Sequence, residues 1–422
     1  MKLLSITLAA LSFHAFASDL PKRPPSFKVP EGTAVFADFT KATYEIVYDY
    51  GKKEASVVSR ITLDTAEAGH VVFDLVGEPK SVTIDGVTAQ APERSPDNRT
   101  KVRVVNHLTT PGTHKLVIES SLTQLATFGP LGVSNGFWMD DLRDRSYLEK
   151  FLPTNFMYDR IPMVFTVSVI GAPGRQVVYA NGVTQDLGNN AFKVTFPEGF
   201  NSASPFFHLV PAEVVLEKRE SYKSIDGREI PIVIYFKKDL TTQPELRFDR
   251  IKRKTLGILE LLEKDYGAFP HPSFTIYLVA DGGMEYAGAT LTNEANLGHE
   301  IFHSYFARGL MPADGNASWI DEALATWRDD GYRTLPAMPT GVVIQAQGRY
   351  FRHTDLLSYG FGEKFFAYLN GKLSGGLKPF LRDLIARRTF DPISLEEFIG
   401  EMNKFYRQDL TGEFRAFGVI KK

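Results

Sequence analysis

From about Ala34 to Leu216 apolar and polar residues alternate in short runs broken by Gly, Pro, Asn and Asp. The runs Thr43-Tyr44-Glu45-Ile46-Val47-Tyr48, His70 to Val76, Ser81-Val82-Thr83-Ile84, Lys101 to Val105, Lys115 to Glu119 and Phe165 to Ile170 are rich in β-branched and aromatic residues. A period of two in such residues predicts strands with one buried face, and so an antiparallel β domain. Asp85-Gly86, set between Ile84 and Val87, predicts a tight hairpin turn.

The period changes after the predicted strand Arg228 to Phe236. Across Glu245 to Tyr266 the apolar positions Ile251, Leu256, Ile258, Leu259, Leu261 and Leu262 recur among charged residues, which predicts a helix ended near Gly267. Phe274 to Val279 reads as one more strand. From Asn293 onward nearly every periodic stretch is helical, and Ser394 with Glu397 three residues later forms a capping-box pattern. The fold class that follows is α+β, with an N-terminal antiparallel β domain over 18–220 and a mainly helical domain over 221–422. The boundary is expected near Lys218 to Lys223, and no internal repeat or low-complexity segment is present.

At 422 residues the chain is long enough for two cored domains. Apolar residues at 43% and charged residues at 23% are near soluble averages and give no sign of a disordered, collagen-like or multi-pass membrane chain. A formal charge of -2, with no basic stripe interleaved with aromatics, gives no reason to expect nucleic acid. Met1-Lys2, the apolar run Leu3 to Phe16 and the ending Ala15-Phe16-Ala17 form a signal-peptide pattern over 1–17, with cleavage expected after Ala17. The run falls short of the roughly 20 apolar residues needed to span a bilayer, so stable membrane insertion is not expected and the mature chain is read as periplasmic or secreted. Cysteine is absent, which excludes disulfides, thiolate metal ligands and a cysteine nucleophile.

Candidate chemistry concentrates in His299-Glu300-Ile301-Phe302-His303, followed after 18 residues by Glu322 in Trp319-Ile320-Asp321-Glu322-Ala323-Leu324-Ala325. Residues i and i+4 share one face of a helix, so two imidazoles can converge on one cation with the glutamate standing beside it. Two histidines and a glutamate are a recurring ligand set for one catalytic zinc, leaving a fourth position for water. The helix is expected from about Asn293 to Arg308, with Leu297, Ile301, Phe302, Tyr305 and Phe306 as apolar cover. A second short helix, Trp319 to Trp327, is expected to fold back and present Glu322. The isolated His70, His107, His114, His208, His271 and His353 read as structural, and Arg349, Arg352 and His353 as a solvated helix face.

Beyond these ligands, Gly282-Gly283-Met284-Glu285-Tyr286 resembles the Gly-x-Met-Glu-Asn exopeptidase motif of the aminopeptidase N-like family of zinc gluzincin metallopeptidases. The Trp319 to Ala325 stretch resembles its Trp-Leu-Asn-Glu-Gly-Phe-Ala, and Tyr359-Gly360-Phe361-Gly362 resembles its Tyr-x-x-Gly segment. The resemblance runs over about 34 to 422, strongest from 270 to 375. It implies a thermolysin-like catalytic domain, and a zinc that polarises the scissile carbonyl and lowers the pKa of its bound water to about 7. Glu300 would be the general base, Tyr359 the donor to the tetrahedral oxyanion, and Gly282, Gly283, Met284 and Glu285 the substrate-binding residues, with Glu285, at the end of a strand-loop, pairing the free α-ammonium of a peptide. Tyr286 departs from the family's Asn, and the stretch from Glu285 to His299 is short. With the sequence ending at Lys422, the cleft is expected to be open where many relatives carry a helical lid. A glycyl-aminopeptidase-like or endopeptidase gluzincin, and a non-catalytic peptide-binding scaffold, remain the alternatives.

Overall fold

The computed structural model describes residues 18–341, 344 and 347–419; the expected signal peptide over 1–17 lies outside them. Among the described residues no helix is long and apolar enough to cross a membrane. The N-terminal part is mostly β. Its largest sheet has eight strands, in the order Val183–Gly188, Ala191–Thr195, Met163–Ile170, Asp38–Asp49, Glu54–Thr65, Gly112–Ser121, Ser81–Ile84 and Val87–Thr88. All its neighbours are antiparallel except Met163–Ile170, which runs parallel to Asp38–Asp49. Alternation does what it predicts: Ala42, Tyr44, Ile46 and Tyr48 all point into the core. Asp85 and Gly86 both take positive φ and close the expected hairpin. Smaller sheets of five and four strands complete this part.

A second five-stranded sheet backs the helices, in the order Val215–Lys223, Glu229–Lys237, Phe274–Leu278, Ala289–Thr292 and Gly283–Tyr286. The expected boundary at 218–223 thus falls inside a strand. Its alternating charged residues are the solvent face of an edge. Gly283–Tyr286 forms the other edge, antiparallel to Ala289–Thr292. Against the sheet and one another pack α1 (Pro244–Tyr266), α2 (Leu297–Phe302), α3 (Ile320–Asp329), α4 (Glu363–Lys372), α5 (Lys378–Arg388), α6 (Leu395–Tyr406) and α7 (Thr411–Phe417). α6 carries the expected capping box, with Glu397 N donating to Ser394 Oγ at 3.1 Å and Ser394 N to Glu397 Oε2 at 2.9 Å.

The reading of Arg349, Arg352 and His353 as a solvated helix face is corrected. The described residues of 347–354 form no helix, and Arg352 is buried at 1% exposure. It pairs with Asp74, lies 3.3 Å from Glu149 and covers the Phe156 ring at 4.3 Å. Those carboxylates lie some 200 residues or more upstream in sequence, so local patterning carried no sign of them. Arg352→Met is expected to destabilise the fold by about 3–5 kcal/mol, because Glu149 is left charged and buried. A urea midpoint unchanged from the parent chain would refute this.

Candidate active site

α2 is shorter than its sequence pattern suggests: it spans Leu297–Phe302, and His303 is its C-cap. One turn still suffices to stack the two histidines, whose ring centroids lie 4.8 Å apart. α3 begins at Ile320 and presents Glu322 from its first turn, with Oε2 at 3.0 Å from His299 Nε2 and 3.4 Å from His303 Nε2. Ligand atoms of His299, His303 and Glu322 all lie within 4.8 Å of one another.

The partners on the far side of each ring set its tautomer. His303 Nδ1 lies 3.0 Å from the Phe306 carbonyl, which can only accept, so Nδ1 carries the proton and the neutral ring keeps a bare lone pair on Nε2. That Nε2 is buried with no hydrogen-bond partner. Asp329 Oδ2 lies 2.7 Å from His299 Nδ1 and orients the second ring in the same sense. With both rings neutral, as metal binding requires, two Nε2 lone pairs and the Glu322 carboxylate converge in a way that fits a zinc ion, with Asp329 and the Phe306 carbonyl supplying the outer hydrogen bonds such ligands need.

Charge at the site is tightly balanced. Burial opposes ionisation of Glu322, yet His303 and His299 hold it well below the usual carboxylate range. Burial pulls His299 down, but Asp329 and Glu322 outweigh it and bring it to about 9. Glu300 is lifted by burial to about 8 against the pull of His303, and its Oε2 has no hydrogen-bond partner.

Tyr359 sits in a π-helical turn, Ser358–Gly362, of the kind that often marks functional sites. Its ring stacks on His299 with centroids 6.3 Å apart. The turn lies close on α3: a Cβ on Gly362 would fall 2.6 Å from Ala323 Cβ. Burial and the nearby Glu322 and Asp141 charges push the Tyr359 hydroxyl far above its ordinary range, so it remains a proton donor.

All the sequence-derived residues line one cleft or abut it. The cleft encloses about 800 Å³ and touches Gly283, Met284, Glu285, His299, Glu300, Glu322 and Tyr359. Gly282 sits just before the strand at φ 89, and a Cβ on Gly283 would fall 2.0 Å from Glu300 Oε1, so a side chain there would displace the Glu300 carboxylate. Glu285 is a strand residue at 3% exposure, and Arg308 Nη2 donates to its Oε1 at 2.7 Å. Tyr286, in place of the family's Asn, ties this strand to the β region, accepting from Met139 N and donating to Phe137 O, both at 3.2 Å.

Two site residues escaped the sequence reading. Arg308 is fully buried and follows Ala307, whose φ of 131° is a strained conformation for a residue with a Cβ and aims Arg308 beneath Glu285. Asp141 comes from the β region, two residues beyond the Met139 that Tyr286 holds. Its carboxylate lies within a 4.8 Å cluster with Glu285 and Glu322, and its Oδ2 has no partner. Burial, with the charges of Glu322 and Glu285, pushes the Asp141 carboxyl well above the usual range, and a cation brought beside it would reverse that. The acid pair Asp140-Asp141 is the only local signal.

No family model matches the chain, and no curated protein matches it. Solved structures do. The M1 zinc metallopeptidase from Deinococcus radiodurans aligns with a TM-score of 0.64 at 18% identity, over 92% of this chain and 94% of that one. A variant of that enzyme bound to a Tyr-Ser-Ala substrate aligns with a TM-score of 0.65 at 18% identity, over 92% and 95%. Legionella pneumophila aminopeptidase A in complex with aspartic acid aligns with a TM-score of 0.67 at 15% identity, over 90% of this chain and 49% of that one. Such identities establish a shared fold, a mostly-β N-terminal part followed by a helical region, and the neighbours come from the metallopeptidase family that the motifs resemble.

Proposed function

We propose that the chain is an exported zinc aminopeptidase that removes N-terminal residues from peptides. Its residues 221–422 would form a thermolysin-like catalytic domain and 18–220 the β domain that closes one end of the cleft. The single observation that carries the reading is the meeting of two sites in one cleft: a His299–His303–Glu322 donor set and, beside it, the unpartnered Asp141 carboxylate next to Glu285.

Zinc held by His299, His303 and Glu322 would supply a Lewis acid and lower the pKa of the attacking water to about 7. Glu300, buried and with a free oxygen, takes the water's proton and hands it to the leaving amine. Tyr359 donates from its hydroxyl to the oxyanion as charge develops there. The edge strand Gly283–Tyr286 offers unpaired backbone groups to an extended peptide, and the absent side chain at Gly283 lets that backbone approach Glu300. Asp141 and Glu285 receive the α-ammonium and so fix the scissile bond one residue from the N-terminus. The Tyr-Ser-Ala complex of the Deinococcus relative supports peptides with a free N-terminus as the substrate class.

The test pairs metal analysis with turnover. Purified protein is expected to hold about one zinc per chain, to hydrolyse aminoacyl-coumarin substrates and to ignore their N-acetyl forms. Zinc-loaded protein inert across a broad aminoacyl panel would favour a binding scaffold instead. Equal turnover of acetylated and free substrates would favour an endopeptidase.

A further inference from the structure

We propose that the cleft is built for short peptides and that Lys254, assisted by Arg328, receives the substrate's C-terminal carboxylate; this rests on the aminopeptidase reading above. The direction of the cleft follows from its edge strand. Gly283 lies against Glu300, and Glu285, two residues and about 7 Å further along the strand, lies against Arg308. Movement from Gly283 toward Glu285 therefore leads to the amine end. The opposite direction leads past Gly282, whose carbonyl accepts from Asn293 N at 3.1 Å, to the segment Glu294 to Gly298 that enters α2. That is where the leaving side of a peptide must run.

Two cations converge on this segment, and both line the same cleft as Glu300. Lys254, from α1, donates to the Glu294 carbonyl, and Arg328, from α3, would have Nη1 2.8 Å from a Cβ on Gly298. Glu294's own carboxylate is taken: Arg250 grips it with two bonds of 2.5 and 2.6 Å. Arg328 gives one N–H to Asp329 at 2.6 Å. Among the described residues no carboxylate lies within ion-pair distance of Lys254. The cleft is thus acidic where the α-ammonium sits and basic at its other end, which is the charge order of a short zwitterionic peptide. A long peptide, with its carboxylate far away, would forgo that match.

The test compares kcat/KM for Ala-Ala-Ala as the free acid, as its C-terminal amide, and as an amide carrying Asp in its second or third position. The free acid is expected to be preferred over the plain amide by about tenfold at low salt, less as salt rises. Lys254→Gln should narrow that ratio several-fold by slowing the acid alone, and Lys254→Arg should restore it. Equal handling of acid and amide by the parent chain, or a ratio untouched by Lys254→Gln, overturns the proposal. So does an Asp-containing amide cleaved as fast as the free acid, since the carboxylate read would then be a side chain. Zinc content and aminoacyl-coumarin turnover, which involve no carboxylate, report separately on the aminopeptidase reading. If both hold while the acid preference is missing, only the present inference falls.

Discussion

Glu300→Gln is expected to lower kcat by roughly 10³-fold, a value within the range that positioned acid–base groups contribute, while zinc content and fold stay unchanged. The substitution keeps the side chain's shape in a place where shape is constrained, since Oε1 faces the backbone at Gly283. Oε2 has no hydrogen-bond partner in the resting protein, so no structural bond is lost with the charge. What disappears is the group that accepts the water's proton and returns it to the leaving amine. KM should move little, because the glutamate acts in the transition state rather than in holding the peptide. Metal analysis beside steady-state kinetics decides the matter: activity retained within a few-fold, at full zinc occupancy, would remove Glu300 from the chemistry.

The parts of this site legible in the sequence are those whose geometry is local. His299 and His303 are one helical turn apart wherever the helix happens to end, so a helix well under half the expected length still stacks their rings. Glu322 was reachable because the turn-rich stretch before it allowed α3 to fold back. Strand periodicity gave the β region in outline, with ends displaced by a few residues, as at His70 to Val76, where the strand is Gly69–Phe73. What stayed hidden is what sequence-distant elements make together. Arg308 looks like any basic residue in a turn until the strained Ala307 carries it under Glu285. Asp141 sits more than 140 residues before Glu285 and is brought to it through the hydroxyl of Tyr286, the residue that departs from the family motif. Arg352 gave the wrong impression for the same reason, since its carboxylates come from the β region.

That hidden half of the site changes how recognition of the N-terminus should be tested. Glu285→Ala, the obvious substitution, would strand Arg308 as a buried cation and cost about 3–5 kcal/mol of stability, so loss of activity in that variant would say little about the substrate. Asp141→Asn avoids the difficulty. Asp141 has no cationic side chain bonded to it, its Oδ2 has no partner, and its backbone carbonyl keeps the bond from Thr354 N at 2.8 Å. With the charge removed, a substrate's α-ammonium would be buried beside a single carboxylate that Arg308 already offsets. Removing one partner of a buried ion pair typically costs about 2–5 kcal/mol, so kcat/KM for aminoacyl substrates should fall by roughly 30- to 5000-fold. Zinc content should not change. Glu285→Gln, which keeps a hydrogen-bond acceptor for Arg308, should fall by a similar factor. If both carboxylates hold the same ammonium, the double variant will lose much less than the product of the two single losses, because the second change removes an interaction already broken. Losses that simply multiply would mean that the two residues act on different groups, and Asp141 would then have no part in fixing the N-terminus.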